Sequence, residues 1–156
     1  MWAFVSKHGK IFKNETNMNI KIAKTESDFI KCFEAMKALR PHLTLASFLS
    51  LIEEMKKETY TLIYIEENQM AVSVCGFRYL TTFFEGKYIY IDDLSTLPEG
   101  RGKGYAGKLF DFVVEKAKSE GLPAVHLDSG HQRFDAHRLY LNKGMKIVYH
   151  HFRLEF

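Results

Sequence analysis

The sequence predicts an α/β fold: a single mixed, mostly antiparallel sheet flanked by helices, in the order β-α-α-β-β-β-α-β-α-β. Three observations carry that expectation. The hydrophobic period switches from helical to alternating near residue 60, and back again near residue 105. Between those points, three strand-like runs are joined by short turns, which suit antiparallel neighbours because parallel ones need long crossovers. And 156 residues, 46% hydrophobic and 26% charged, support one core rather than two.

The elements follow in order. Residues 1–17 hold the only tryptophan, Trp2, and a short apolar patch, but no pattern that packs on a strand or helix. They read as a dispensable extension, with residues 18–156 as the working domain. A strand-like run covers residues 19–24. Thr25 three before Asp28 is a capping box in outline, and Phe29, Phe33 and Met36 then recur at helical spacing until Pro41 stops the helix. Leu45, Phe48, Leu49, Ile52 and Met55 mark one face of a second helix, with Glu53, Glu54, Lys56 and Lys57 on the other. Residues 60–66, 70–82 and 87–97 are the meander, turning at Asn68-Gln69 and at Glu85-Gly86. Tyr105, Leu109, Phe112 and Val113 line a third helix over residues 105–119. A short strand at 123–128, a short helix at 134–143 ending at Gly144, and a final strand at 145–156 complete the chain.

Composition narrows the function. The 22 basic and 19 acidic residues are spread along the chain, without the basic cluster of a nucleic-acid binder. No apolar run approaches the roughly 20 residues of a membrane helix, and no signal-peptide pattern opens the chain. Cys32 and Cys75 cannot build a disulfide framework, and free thiols fit a cytoplasmic protein. The histidines offer no metal set: His131 and His137 are six apart, and His150 and His151 face opposite sides of a strand.

Residues 99–109 read Glu-Gly-Arg-Gly-Lys-Gly-Tyr-Ala-Gly-Lys-Leu, between a strand and a helix. Glycines there let backbone approach a ligand, and the free amides of a helix start bind phosphate. A bare surface turn is the plainer reading. Gly102, Gly104 and Gly107 spell a dinucleotide fingerprint, with Asp128 ending the next strand, but Pro98 to Arg101 intervene before the first glycine. Gly102 to Lys108 spells most of a P-loop, yet Leu109 replaces its magnesium-binding hydroxyl residue.

Arg101-Gly102-Lys103-Gly104-Tyr105-Ala106 resembles the acyl-CoA signature of the GNAT acetyltransferase superfamily, (Q/R)-x-x-G-x-(G/A), with Arg101, Gly104 and Ala106 in its specified places. Tyr90-Ile91-Asp92-Asp93-Leu94-Ser95-Thr96 is similar to that superfamily's fourth strand. The stretch from Gln132 to Tyr140, followed by Lys143-Gly144-Met145, resembles its C-terminal helix, and Arg40-Pro41-His42-Leu43 agrees as well. Many relatives carry Asn seven residues before the tyrosine; Arg133 stands there instead. The segment from Arg133 to Tyr140 is also similar to that of aminoalkylphosphonate acetyltransferases.

The resemblance implies an acetyl-CoA-dependent N-acetyltransferase acting on a primary amine, most simply of a small molecule. A protein or peptide acetyltransferase and a non-catalytic acyl-CoA sensor are the rival readings. It implies cofactor binding by Arg101, Gly102, Lys103, Gly104, Tyr105 and Ala106, with Arg133 near the cofactor arm. Backbone amides of Leu94, Ser95 and Thr96 would polarise the thioester. Asp92 and Asp93 lie in an otherwise apolar strand, where carboxylates are costly. Since strand neighbours face opposite ways, at most one of them is expected to point at the substrate; pairing with a nearby Lys or Arg is the alternative. Tyr140 would protonate the leaving thiolate. The apolar end, residues 150–156, is able to pair with a second copy in a homodimer.

Overall fold

The computed structural model describes residues 20–156. The extension expected at residues 1–17 lies outside the described residues. The chain runs β1 (Ile20–Ile22), α1 (Glu26–Leu39), α2 (Leu45–Lys56), β2 (Thr61–Glu67), β3 (Met70–Thr82), β4 (Gly86–Thr96), a 3-10 turn (Pro98–Gly100), α3 (Tyr105–Ser119), β5 (Val125–Leu127) and α4 (Phe134–Asn142). The sheet order is β1-β2-β3-β4-β5. Pairing is antiparallel from β1 to β4, and only β5 joins parallel, as the crossover through α3 requires.

Local chemistry sets the element ends. Thr25 and Asp28 form the capping box: the Asp28 amide donates to Thr25 Oγ1 at 3.2 Å, and the Thr25 amide donates to Asp28 Oδ2 at 3.0 Å. A second box, Thr44 with Ser47, starts α2, and serine in place of glutamate hid it from pattern reading. Asn68 and Gln69 take φ of 50° and 66°, the left-handed pair of a tight hairpin whose twist matches the flanking strands.

Period-2 alternation divides the core into two layers. Leu62 and Tyr64 face α1 and α2 and pack with Phe29, Phe33, Met36, Phe48 and Ile52. Ile63 and Ile65 face the other way and pack with Leu109, Phe110 and Val113 of α3. One constraint matters for function. β5 pairs with β4 only from Ile89 to Ile91, so residues 92–96 of β4 have an open edge.

Residues 145–156, expected to be a final strand, belong to no strand. Their packing is by side chains: Tyr149 stacks over His126 of β5 at 6.3 Å, and His151 Nδ1 lies 2.8 Å from Asp128 Oδ2. Ile147 is 80% exposed and Phe152 90%, so no half-buried face forms to fix a register.

The capping box generates a stability prediction. Hydrogen bonds from the Thr25 and Lys24 amides hold the Asp28 carboxyl down from 3.8 to about 2, against a smaller opposing effect of burial. A depressed carboxyl stabilises the fold above its unfolded value and loses that contribution as pH falls through the folded one. Thr25→Ala is expected to cost about 1 kcal/mol in urea melts at pH 7. In Asp28→Asn, the part of the stability loss that wild type shows between pH 4 and pH 2 should be reduced.

Candidate active site

The register of β3 against β4 shifts once. Gly76 pairs with Asp93 and Phe77 with Ile91, leaving Asp92 as an extra residue on β4. This bulge resets the alternation. Tyr90 and Asp92 already point to the α1–α2 side, and after the bulge Asp93 does too, while Leu94 packs with the α3 cluster. Both aspartates therefore line one cleft, where ordinary strand geometry allows only one.

Their partners are arginines. Arg78 Nε donates to Asp92 Oδ2 at 2.8 Å, and Arg78 also pairs with Glu58. Arg40, the C-cap of α1, donates from Nε to Asp93 Oδ1 at 3.0 Å and from Nη2 to the Asp92 carbonyl at 3.1 Å. A bulge leaves a carbonyl without its ladder partner, and this guanidinium supplies the donor. The Tyr60 hydroxyl donates to Asp93 Oδ2 at 3.2 Å, so both oxygens of Asp93 are engaged. Burial raises the Asp92 carboxyl above its ordinary range, against the Arg78 pair that lowers it. Among the described residues, Asp92 Oδ1 accepts no hydrogen bond.

These groups sit in a cleft of about 700 Å3 between the first two helices, the parted strands and the C-terminal segment. Met36, Leu43, Phe48, Ile52 and Met55 form its apolar wall, and Arg40, His42, His151 and Arg153 its basic positions. Ser129, just after β5, also lines it; its Oγ is buried without a hydrogen-bond partner among the described residues.

On the open edge of β4, the Leu97 amide donates to Val72 O of β3 at 2.9 Å. Amides alternate sides along a strand, so those of Leu94 and Thr96 point away from β3, toward the gap left by β5. Ser95, placed with them by the sequence, turns the other way; its carbonyl accepts from Ser73 Oγ at 3.0 Å.

Beyond the gap, Gly102 and Gly104 take φ of 76° and 79°, which aim the loop's amides outward at the head of α3. The amides of Gly102, Gly104, Tyr105, Ala106 and Gly107 meet no acceptor among the described residues, whereas those of Arg101 and Lys103 close the turn onto Pro98 and Gly100. Five unpartnered donors at the positive end of a 15-residue helix fit a pyrophosphate. Lys103 Nζ is tied to Glu67 at 3.1 Å, and the Tyr105 hydroxyl donates to the same carboxylate. Both side chains thus meet at Glu67, the lysine remaining about half exposed.

α4 crosses the head of α3 where Gly107 leaves room, a Cβ there falling 3.5 Å from Lys143 Cε. Lys143 Nζ pairs with Asp111 at 2.6 Å and fixes the crossing. This delivers Tyr140 to the cluster that holds Cys75 and Leu94, its ring 6.2 Å from that of Phe110. Burial pushes the Tyr140 phenol up to about 12, and Arg133 at the N-cap of α4 pulls it slightly back. Its hydroxyl makes no hydrogen bond among the described residues.

The structure thus places Asp92 and Asp93 in the cleft, Tyr140 in the cluster with Leu94 and the glycine loop at the head of α3; sequence reading did not single out Tyr60 and Ser129 of the cleft lining, nor Arg78, which pairs with Asp92. Arg40 was quoted only as part of a family stretch. Its place, the last residue before a helix-stopping proline, is the one signal that marks it as pointing off the helix end.

The sheet parts beyond Ile91, and a glycine loop with unpartnered amides lies at the head of the next helix. The profile of the acetyltransferase (GNAT) family matches residues 23–145, and the chain belongs to that family of acetyl-transferring enzymes. It is 33% identical over 127 residues to the uncharacterized N-acetyltransferase YhdJ of Bacillus subtilis, covering 81% of this chain and 89% of the relative. It is 27% identical over 107 residues to the D-amino-acid N-acetyltransferase HPA3 of Saccharomyces cerevisiae, covering 68% and 66%. Among solved structures, a transcriptional regulator of Bacillus halodurans superposes with a TM-score of 0.76 at 23% identity, over 88% of this chain and 98% of the other, which shows the shared fold.

Gly76 yields the next prediction. A Cβ there would stand 1.8 Å from the Tyr60 hydroxyl, inside the buried Tyr60–Asp93 contact. Gly76→Ala is expected to destabilise the fold by about 1–3 kcal/mol in denaturant melts, as overpacking does. Tyr60→Phe should recover little of that loss, because ring carbons Cζ and Cε2 would still stand 2.5 and 2.8 Å from the new methyl, whereas Tyr60→Leu, which removes the ring, should recover more of it.

Proposed function

We propose that this chain transfers the acetyl group of acetyl-CoA to the primary amine of a small molecule, by direct attack of the amine on the thioester. The observation that carries the reading is one continuous path: the unpartnered amides of Gly102 to Gly107, the Leu94 and Thr96 amides in the strand gap, and the Asp92 cleft beyond. The loop amides hold the pyrophosphate; bound acetyl-CoA supplies the activated acetyl group. Leu94 and Thr96 donate to the carbonyl oxygen as negative charge develops there. Asp92, with one free oxygen and a raised carboxyl, takes the ammonium proton directly or through a water. Tyr140 donates toward the departing sulfur. A cleft of about 700 Å3 with an apolar wall is the size of a small acceptor, and one relative is named for such an acceptor. The exposed end, residues 150–156, is the surface we assign to self-association, in a protein that works in the cytoplasm.

Two measurements test this. In thermal melts, acetyl-CoA at a hundredfold its dissociation constant should stabilise the protein by about 2.7 kcal/mol, and NAD or ATP should not. Equal stabilisation by NAD would overturn the cofactor assignment. Tyr140→Phe keeps the ring and removes the hydroxyl, so acetyl-CoA affinity should hold while single-turnover acetylation falls about 10²- to 10⁴-fold. With the phenol near 12, wild type should lose no activity to its ionisation up to about pH 10. Unchanged chemistry in the Phe variant would remove Tyr140 from the reaction.

A further inference from the structure

The Arg40–Asp93 pair is not symmetric toward the cleft. The Arg40 side chain is 44% exposed and that of Asp93 only 9%, so the guanidinium stands in front and the carboxylate behind. Nε and Nη2 are spent on Asp93 and on the Asp92 carbonyl. Nη1 donates to no partner among the described residues. What the cleft meets at this position is therefore the outer edge of a cation, held rigidly by two anchored nitrogens. Asp92 lies next to it with a free Oδ1, and the apolar wall of α2 stands on the same cleft. His42 and Arg153 also line it, Arg153 paired with Glu155 at 2.8 Å, and Asp128 is the further carboxylate of the lining, paired with His151 at 2.8 Å.

From this juxtaposition we infer that Arg40 recognises an anionic group on the acceptor. The acceptor is then a zwitterion: a primary amine with a carboxylate, phosphonate or phosphate a few atoms from its nitrogen, and an apolar substituent that packs on α2. The amine lies at Asp92, and the anion meets the free edge of Arg40 in a charge-assisted contact. An acceptor without the anion leaves that edge facing the apolar part of the ligand. The inference rests on the acetyl-transfer reading for its chemistry, but the recognition is a binding property and is testable without turnover.

The probes are leucine in both enantiomers, its methyl ester, 3-methylbutylamine, and the phosphonate analogue of leucine. Hydrogen bonds to a charged group correspond to about 10- to 100-fold, so wild-type kcat/KM should favour the acids over the ester and the plain amine by that factor. The ester's amine is the more easily deprotonated, which biases the comparison against this result. The carboxylate and phosphonate arms distinguish the two kinds of anion. Arg40→Gln should bring the acid-to-ester ratio close to one, and Arg40→Lys should recover part of it; a merely structural arginine would lower both substrates together and leave the ratio. Because Arg40 also supports the bulge, His42→Ala and Arg153→Ala serve as variants that need not disturb it, and each should lower the ratio. Wild type that acetylates the ester or the plain amine as well as the acids would overturn the inference. Should no probe be acetylated, small-amine acetyl transfer fails as a reading. Calorimetry with CoA present then decides the inference separately: tighter binding of leucine than of its ester upholds it, and equal binding overturns it.

Discussion

The site depends on one extra residue in β4. Without the bulge at Asp92, strand alternation would bury one aspartate against α3, where no arginine stands. With it, two carboxylates share the cleft, and the strand emerges reset, so that Leu94 returns to the core. The bulge has a cost, because a backbone carbonyl loses its ladder partner, and Arg40 answers it from the end of α1. That single guanidinium ties a helix terminus, a strand irregularity and a buried carboxylate together. Tyr60 and Gly76 complete the fit: the hydroxyl needs the space that a side chain at 76 would fill.

The electrostatics follow from that arrangement. Two carboxylates in a partly buried cleft would repel each other and shed a charge by protonation. Each instead has its own arginine, Arg78 for Asp92 and Arg40 for Asp93. The pairs are not equivalent. Asp93 has both oxygens occupied and serves to hold Arg40 and Tyr60 in place. Asp92 has one oxygen free and its carboxyl raised by burial, which suits a proton acceptor rather than a fixed counter-ion. Two neighbours of the same residue type thus differ in environment through both burial and hydrogen bonding, and the proposed reaction uses that difference.

Much of the fold was legible because hydrophobic periodicity reports burial directly. The Asn68-Gln69 turn, the alternation in β2 and the α3 face all came through. The bulge did not, since a string of residues carries no mark of where a partner strand skips one. That gap explains the expectation that only one aspartate could face the substrate, whereas strand alternation by itself separates Ser95 from Leu94 and Thr96. Residues 145–156 fail for the opposite reason. Their β-branched and aromatic content is strand-like, but propensity needs a partner edge and a face to bury, and neither forms around β5. From the sequence, Lys103 and Tyr105 enter as members of the glycine loop, with no sign of where their side chains go. Only the three-dimensional approach of Glu67, 36 residues before Lys103, shows that both are tied.

Acid strength limits what Tyr140 does in the proposed reaction. Its phenol near 12 is a weaker acid than an ordinary thiol, near 8.5, by roughly three to four units. Complete transfer of its proton to a thiolate of that ordinary acidity would be uphill, less so where burial raises the thiol as well, as it does Cys75 in the same cluster. Donating a hydrogen bond as charge builds on sulfur needs no such transfer, and an unpartnered hydroxyl is oriented for it without first breaking another bond. The same burial that weakens the acid removes competing water, which strengthens the hydrogen bond to a developing anion. Arg133 at the N-cap of α4 acts in the helpful direction by lowering the phenol. Asn occupies that position in many relatives, so the charge is a departure with a physical consequence: it brings the donor closer in acidity to the thiol it would serve.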